Sequence, residues 1–150
     1  MKLDFRKRTE IAKPPADVYR FIATEHGRNH PRWDAWAVEF KQIDPGPVVV
    51  GTRFAYKRKA LGPMSQTLEL VVTEMDLDRR FAFRFSGPSQ ASIVYTLQPA
   101  GGGTVVDFDG RFVMPGPQFL GPLMKGSVDR QVADGQRRIK QMVESAEPSR

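Results

Sequence analysis

The segment Pro122–Glu144, PLMKGSVDRQVADGQRRIKQMVE, decides the architecture. Val128, Val132, Gly135, Ile139 and Met142 step by four, three, four and three residues, which puts them on one stripe of an α-helix. Arg130, Asp134, Arg137, Arg138 and Lys140 take the opposite face. Pro122, behind Gly121, suits a first helical turn, because its missing N–H would have no partner there. Gly126 is the weak point, able to delay or bend the start. From Glu144 to Arg150 the chain is expected to fray. A long helix with one apolar stripe needs an apolar surface to lie on.

The residues before it supply that surface. Leu3 to Ile11 alternates, with Leu3, Phe5 and Ile11 on one parity and Lys2, Asp4, Arg6, Arg8 and Glu10 on the other, the pattern of a half-buried strand. Pro14-Pro15 ends it and opens a short helix carrying Val18, Phe21 and Ile22, with Glu25 at the same spacing. Further strands follow at Ala37–Ile43, Gly51–Lys59, Ser65–Met75, Arg79–Phe85, Ala91–Leu97 and Thr104–Met114. They are separated by Asp44-Pro45-Gly46-Pro47, Asp76-Leu77-Asp78, Ser86-Gly87-Pro88 and Gly101-Gly102-Gly103. Turns this short make consecutive strands antiparallel neighbours. The expectation is an α+β layer structure in one domain, residues 1–150, with the sheet's apolar face covered by the C-terminal helix.

Composition narrows the function. A chain of 150 residues buries roughly 68–70% of its unfolded surface, enough for a core without staples. With no cysteine, disulfides, thiolate metal sites and cysteine nucleophiles are excluded. The start, MKLDFRKRTE, is charged almost at once, and no stretch approaches the roughly 20 apolar residues of a membrane span. A cytoplasmic protein without integral membrane association is expected. Lys and Arg number 23 against 17 Asp and Glu, a net charge of +6. The basic residues are scattered at strand and helix spacing, which places them on solvated faces and argues against a nucleic-acid partner.

In this order the segments resemble the START and polyketide cyclase/dehydrase (SRPBCC) superfamily and its helix-grip fold. The residues that carry the resemblance are PPADVYRFIA, HPRWDAW, VGTRF, EMDLDRRFAFRF, GGGTVVDF and the closing FLGPLMKGSVDRQVADGQRRIKQMVE, covering nearly the whole chain. The resemblance implies a curved seven-stranded antiparallel sheet wrapped around a long C-terminal helix, two small helices between the first two strands, and an apolar cavity between sheet and helix. Trp33 and Trp36 read as packing residues by the second small helix.

Strand parity sends Val38, Phe40, Phe54, Tyr56, Leu68, Leu70, Val72, Phe81, Phe83, Ile93, Tyr95, Leu97, Val106, Phe108 and Phe112 to the concave face. Leu123, Met124, Val128 and Val132 meet them from the helix. One helical stripe cannot cover seven strands without a gap, so part of this set should line a ligand cavity. The candidates are Phe40, Phe54, Tyr56, Arg58, Leu70, Phe81, Phe83, Tyr95, Phe108, Phe112, Met124 and Val128.

Gln42, Tyr56, Arg58 and Tyr95 are polar groups of that inward parity. Two readings of Arg58 stand open: a buried cation for an acidic ligand, or a rim residue by Leu61-Gly62-Pro63 with its head in water. His26 and His30 are four apart, but HGRNH lacks the glutamate of a zinc motif, and Pro31 argues that a helix ends there, so no metal is expected. His30 with Asp34 is the only histidine-bearing acid–base candidate; the alternative is a loop histidine beside a turn-capping aspartate. Asp107, Asp109 and Arg111 face solvent as cross-strand charge partners.

Three functions follow. One is carriage or binding of a small hydrophobic ligand, aromatic or lipid-like and open to being acidic, in the manner of lipid transport. Another is a cyclase- or dehydratase-like enzyme using Arg58, Tyr56, His30 or Asp34 without metal or nucleotide cofactor. The third is an interaction module. A monomer or homodimer is compatible with each.

Overall fold

β1 (Lys2–Ile11) buries Leu3, Phe5 and Ile11 and turns Lys2, Asp4, Arg6, Arg8 and Glu10 outward, as its alternation requires. The computed structural model describes residues 1–60 and 63–146. After β1 come α1 (Pro15–Tyr19), a π-helical turn (Arg20–Thr24) and α2 (His26–Trp33). β2 (Ala37–Gln42), β3 (Arg53–Lys59), β4 (Ser65–Asp76), β5 (Arg80–Ser86), β6 (Gln90–Ala100) and β7 (Gly103–Val113) then form a meander. A 3₁₀ turn (Gln118–Leu120) leads into α3 (Gly121–Ser145), a helix of 25 residues.

All seven strands belong to one antiparallel sheet in the order β1-β7-β6-β5-β4-β3-β2. β1 closes on β7 with Leu3 opposite Phe112 and Ile11 opposite Thr104. β1 and β2 are therefore opposite edges, and the helices between them must cross the width of the sheet. Bulges at Ala37/Glu39 in β2 and Val72/Glu74 in β4 add bend and twist. On the outer face Asp107 accepts from Arg8 at 2.9 Å and Asp109 pairs with Arg6 at 3.0 Å.

α3 packs against β1 and lies over the concave face. Its buried residues are Gly121, Val128, Gly135, Gln136, Ile139 and Val143. The stripe thus ends on Val143 rather than Met142, because a 3.6-residue period drifts off alternating steps of three and four. Leu123 was expected on the apolar side; it stands off the line of Met124, Val128 and Val132 and is 75% exposed. Glu144 does not fray. Its carboxylate accepts the Ala12 N–H at 2.8 Å and pairs with Lys140 at 2.9 Å, fastening the end of α3 to the end of β1. Ser145 is still helical and Ala146 caps α3, while residues 147–150 of the expected frayed end lie outside the described residues.

α3 runs through Gly126 without interruption, and a Cβ built there meets nothing within 4 Å. Gly126→Ala should therefore stabilise the protein by about 0.5–1 kcal/mol, since alanine loses less backbone entropy in a helix. A thermal melt checks this, with a rise of roughly 2–3 °C expected for a domain of this size.

Two sequence expectations fail for local reasons. Val38 is 50% exposed, because the bulge in β2 breaks the alternation that would have turned it inward. Pro31 does not end a helix: α2 continues to Trp33 with the proline inside. The bond lost with the proline N–H is one in an eight-residue helix whose place is fixed by burying His26, Asn29 and His30.

Candidate functional site

α2 is polar in composition, yet it is driven into the fold. His26 is 1% exposed, and its ring meets Phe40, Phe54, Phe81 and Phe83 at centroid distances of 5.4, 5.3, 5.1 and 5.1 Å. Its Nδ1–H donates to the Ile22 carbonyl at 3.1 Å, which leaves Nε2 as the lone-pair nitrogen among aromatic rings. Burial, and then the charge of His30, push its pKa well below 6.5, only partly opposed by the Ile22 bond.

This filling decides where the cavity lies. Phe40, Phe54, Leu70 and Phe81, expected to touch ligand, do not line it. The three aromatic ones pack around His26, and Leu70 is fully buried between Phe54 and Phe85 in the sheet register. The expectation treated α3 as the only cover, whereas α2 fills this end of the concave face. Gln42, also given inward parity, is exposed on edge strand β2 and donates to the carbonyls of Asp44 and Gly46.

Between α3 and the remaining concave face is a cavity of about 320 Å³. Tyr56, Arg58, Phe83, Tyr95, Phe108, Phe112, Met124 and Val128 line it, as do His30 and Asp34. Reading the sequence placed Ile93 on the same face, and Val132 on the helix stripe, and both are in the lining. Trp33 and Trp36, read as packing residues, also form its wall. The Trp33 ring lies on Gly135, where a Cβ would stand 3.2 Å from two ring carbons. Gln131 and Gln136 were missed, although each sits three or four residues from Val128 or Val132 and so beside the apolar stripe. Met64 and Met114, at strand ends, carried no comparable signal.

One wall is polar and connected. Asp34 follows α2, and its Oδ1 accepts the Trp36 N–H at 3.0 Å, the turn-capping role. Its Oδ2 accepts from His30 Nε2 at 3.1 Å and from the Tyr56 hydroxyl. Cap and acid–base pair, the two open readings, are thus one residue's two oxygens. Burial alone would raise the Asp34 pKa. The hydrogen bond and charge of His30, then the Tyr56 bond and the Arg58 charge, outweigh it and bring the carboxyl from 3.8 down to about 2. An ionised carboxylate only accepts, so neutral His30 carries its proton on Nε2 and keeps Nδ1 as a lone pair. The Tyr56 hydroxyl is pushed well above 10 by burial and then by the Asp34 charge.

Arg58 is half-buried, between the two readings. Its Nη2 donates to Gln131 Oε1 at 3.0 Å, the guanidinium lies 5.8 Å from the Trp36 ring centroid, and its buried Nε has no partner among the described residues. Residues 61 and 62 of the loop expected beside it lie outside the described residues. Deeper in, Gln136 Nε2 donates to the Tyr95 hydroxyl at 3.3 Å, and burial raises that tyrosine's pKa. No group of three or more His, Asp or Glu side chains suited to a metal occurs among the described residues, nor does a helix long and apolar enough to cross a membrane.

Residues 2–144 match the family described as polyketide cyclase / dehydrase and lipid transport. The chain belongs to that family. No curated protein matches it. Among solved structures it is similar to the KanY protein, at 18% identity and a TM-score of 0.74, covering 97% of this chain and 99% of that one. Ara h 8.0201 follows at 15% identity and 0.73, covering 97% and 100%. TTHA0849 from Thermus thermophilus shows 19% identity and 0.71, covering 96% and 100%. At such identities these likenesses show the helix-grip fold alone.

Proposed function

We propose that the protein binds a small, mainly apolar molecule in the cavity between the sheet and α3, with the His30–Asp34–Tyr56–Arg58 wall orienting its polar end. The cavity itself carries this reading: about 320 Å³ with aromatic and methionine side chains in its wall, and the linked His30, Asp34 and Tyr56 together with Arg58 in its lining. That combination is the usual make-up of a small-molecule site, where apolar walls give affinity and a few polar groups give orientation. The family's description, which includes lipid transport, supports it.

A second reading, a cyclase- or dehydratase-like enzyme, is favoured by one observation. Asp34 holds His30 in the tautomer whose Nδ1 is free to take a proton, as an orienting carboxylate does for a catalytic base, and Arg58 beside it is placed to steady an enolate. In that reading His30→Gln abolishes turnover but leaves ligand affinity nearly unchanged.

The test of the binding reading uses a neutral dye, N-phenyl-1-naphthylamine, titrated into folded protein. Saturable one-to-one emission enhancement is expected, and Val132→Trp, which fills the cavity from α3, should reduce it at least tenfold. A dye signal that never saturates, or that survives the filled cavity, would defeat the proposal.

A further inference from the structure

The lining's charges and unused hydrogen-bond donors say more about the ligand, granted that the cavity binds one. Asp34 is the only carboxylate of the lining among the described residues, and that side chain is already occupied by His30, Tyr56 and the Trp36 N–H. Arg58 and Lys59 are the lining's arginine and lysine, so the wall carries more positive than negative charge before His30 is considered. Arg58 hydrogen-bonds a neutral amide and lies by an aromatic face, with the Asp34 carboxylate close enough to feel its charge, and its Nε–H is buried with no partner among the described residues. The Trp33 indole N–H, on the same lining, is likewise buried and unpartnered. An unsatisfied buried donor costs about 1–3 kcal/mol, more when charged; against these two donors the described lining leaves one buried acceptor unpartnered, His30 Nδ1, so acceptors are the scarcer.

Size and shape add a limit. About 320 Å³ is at the small end of the roughly 300–1,000 Å³ found for ligand pockets. Trp33, Trp36, Phe83, Phe85, Phe108 and Phe112 present flat surfaces around it. Such walls suit one or two rings better than a long folded acyl chain.

We infer that the ligand is a compact aromatic carboxylic acid, its rings between the aromatic walls of sheet and α3 and its carboxylate on Arg58. A carboxylate makes a charge-assisted, forked bond to a guanidinium, so it displaces the neutral Gln131 amide as first partner.

The experiment compares 2-naphthoate with methyl 2-naphthoate by calorimetry at fixed salt, against the wild type, Arg58→Gln and Arg58→Lys. The acid should bind the wild type at least tenfold more tightly than the ester. Arg58→Gln should weaken the acid by about 10- to 100-fold, the worth of a hydrogen bond to a charged group, and change the ester by less than about twofold. Arg58→Lys should fall between, since the charge stays but the fork is lost. The ester also reports folding of each variant. Equal affinities of acid and ester for the wild type, or equal losses of both in Arg58→Gln, would overturn the acid assignment while the cavity reading stands. If neither compound nor the neutral dye binds folded wild type, the cavity reading itself falls.

Discussion

Ile139→Asp should lower the stability of this protein by about 4 kcal/mol or more, whereas Arg137→Asp, two residues earlier, should cost less than about 1 kcal/mol. Ile139 is 1% exposed on α3 and belongs to the central apolar cluster. Truncating a buried isoleucine alone costs about 2–5 kcal/mol, and the aspartate adds a carboxylate inside an apolar cluster. Arg137 is on the outer face, with its side chain 64% exposed and paired to Asp134. Reversing its charge exchanges an exposed ion pair for an exposed repulsion, both small in water. Chemical denaturation of the two variants reads the difference directly. At roughly 2–4 °C per kcal/mol, the melting temperature of Ile139→Asp should fall by about 10 °C or more. Equal shifts for the two variants would mean that α3 does not present this face to the sheet.

The face of α3 was legible because hydropathy and burial agree along it. Val128, Gly135 and Ile139 are apolar or small and are buried, and the charged residues between them are not. The strands were legible for the same reason, with a period of two in place of 3.6. The expected breaks at Asp76–Asp78 and Gly101–Gly103 match the turns between β4 and β5 and between β6 and β7. α2 shows where this kind of reading runs out. Its buried residues are His26, Asn29 and His30, types that hydropathy assigns to the surface, and it contains a proline. They go inside because each finds a specific partner: the Ile22 carbonyl for His26, the Phe21 carbonyl for Asn29 and Asp34 for His30. These pairings are local, four or eight residues apart, but hydropathy alone does not mark their members as buried.

The limits of the cavity follow from that blind spot. Parity gave the concave-facing residues of β3, β5, β6 and β7, but not which of them another element would cover. Phe81 and Phe83 share a parity and a strand, yet only Phe83 reaches the cavity, because His26 sits against both and α2 closes over the first. The spacing of His30 and Asp34, four apart, did suggest a pair, and it is one. Tyr56 joins them from 22 residues away, a contact made by the sheet folding over α2 rather than by any spacing in the chain.

The same burial makes stability depend on pH. His26 has its folded pKa well below the 6.5 of an unfolded histidine, so below pH 6.5 the unfolded chain takes up a proton that the folded chain refuses. A group depressed on folding contributes stability above its unfolded pKa and loses it as pH falls towards the folded one. Between pH 7.5 and pH 5.0 this single site should remove up to about 2 kcal/mol, the limit reached when the folded histidine stays neutral throughout. His30, the titratable neighbour at 4.9 Å, disfavours the His26 charge further, and the other rings against His26 are Phe40, Phe54, Phe81 and Phe83. Asp34 adds a second loss of the same sign but at lower pH, as the carboxyl protonates between 3.8 and about 2. The two are separable by window and by mutation. His26→Phe keeps a ring in the aromatic cage, removes the titration and forfeits the bond to Ile22. Denaturant titrations at pH 7.5 and 5.0 should show wild type losing more stability than the variant over that interval, by up to about 2 kcal/mol, even if the variant starts less stable. Parallel losses in the two proteins would mean that His26 takes up its proton in the folded state, and that water reaches the centre of the aromatic cluster.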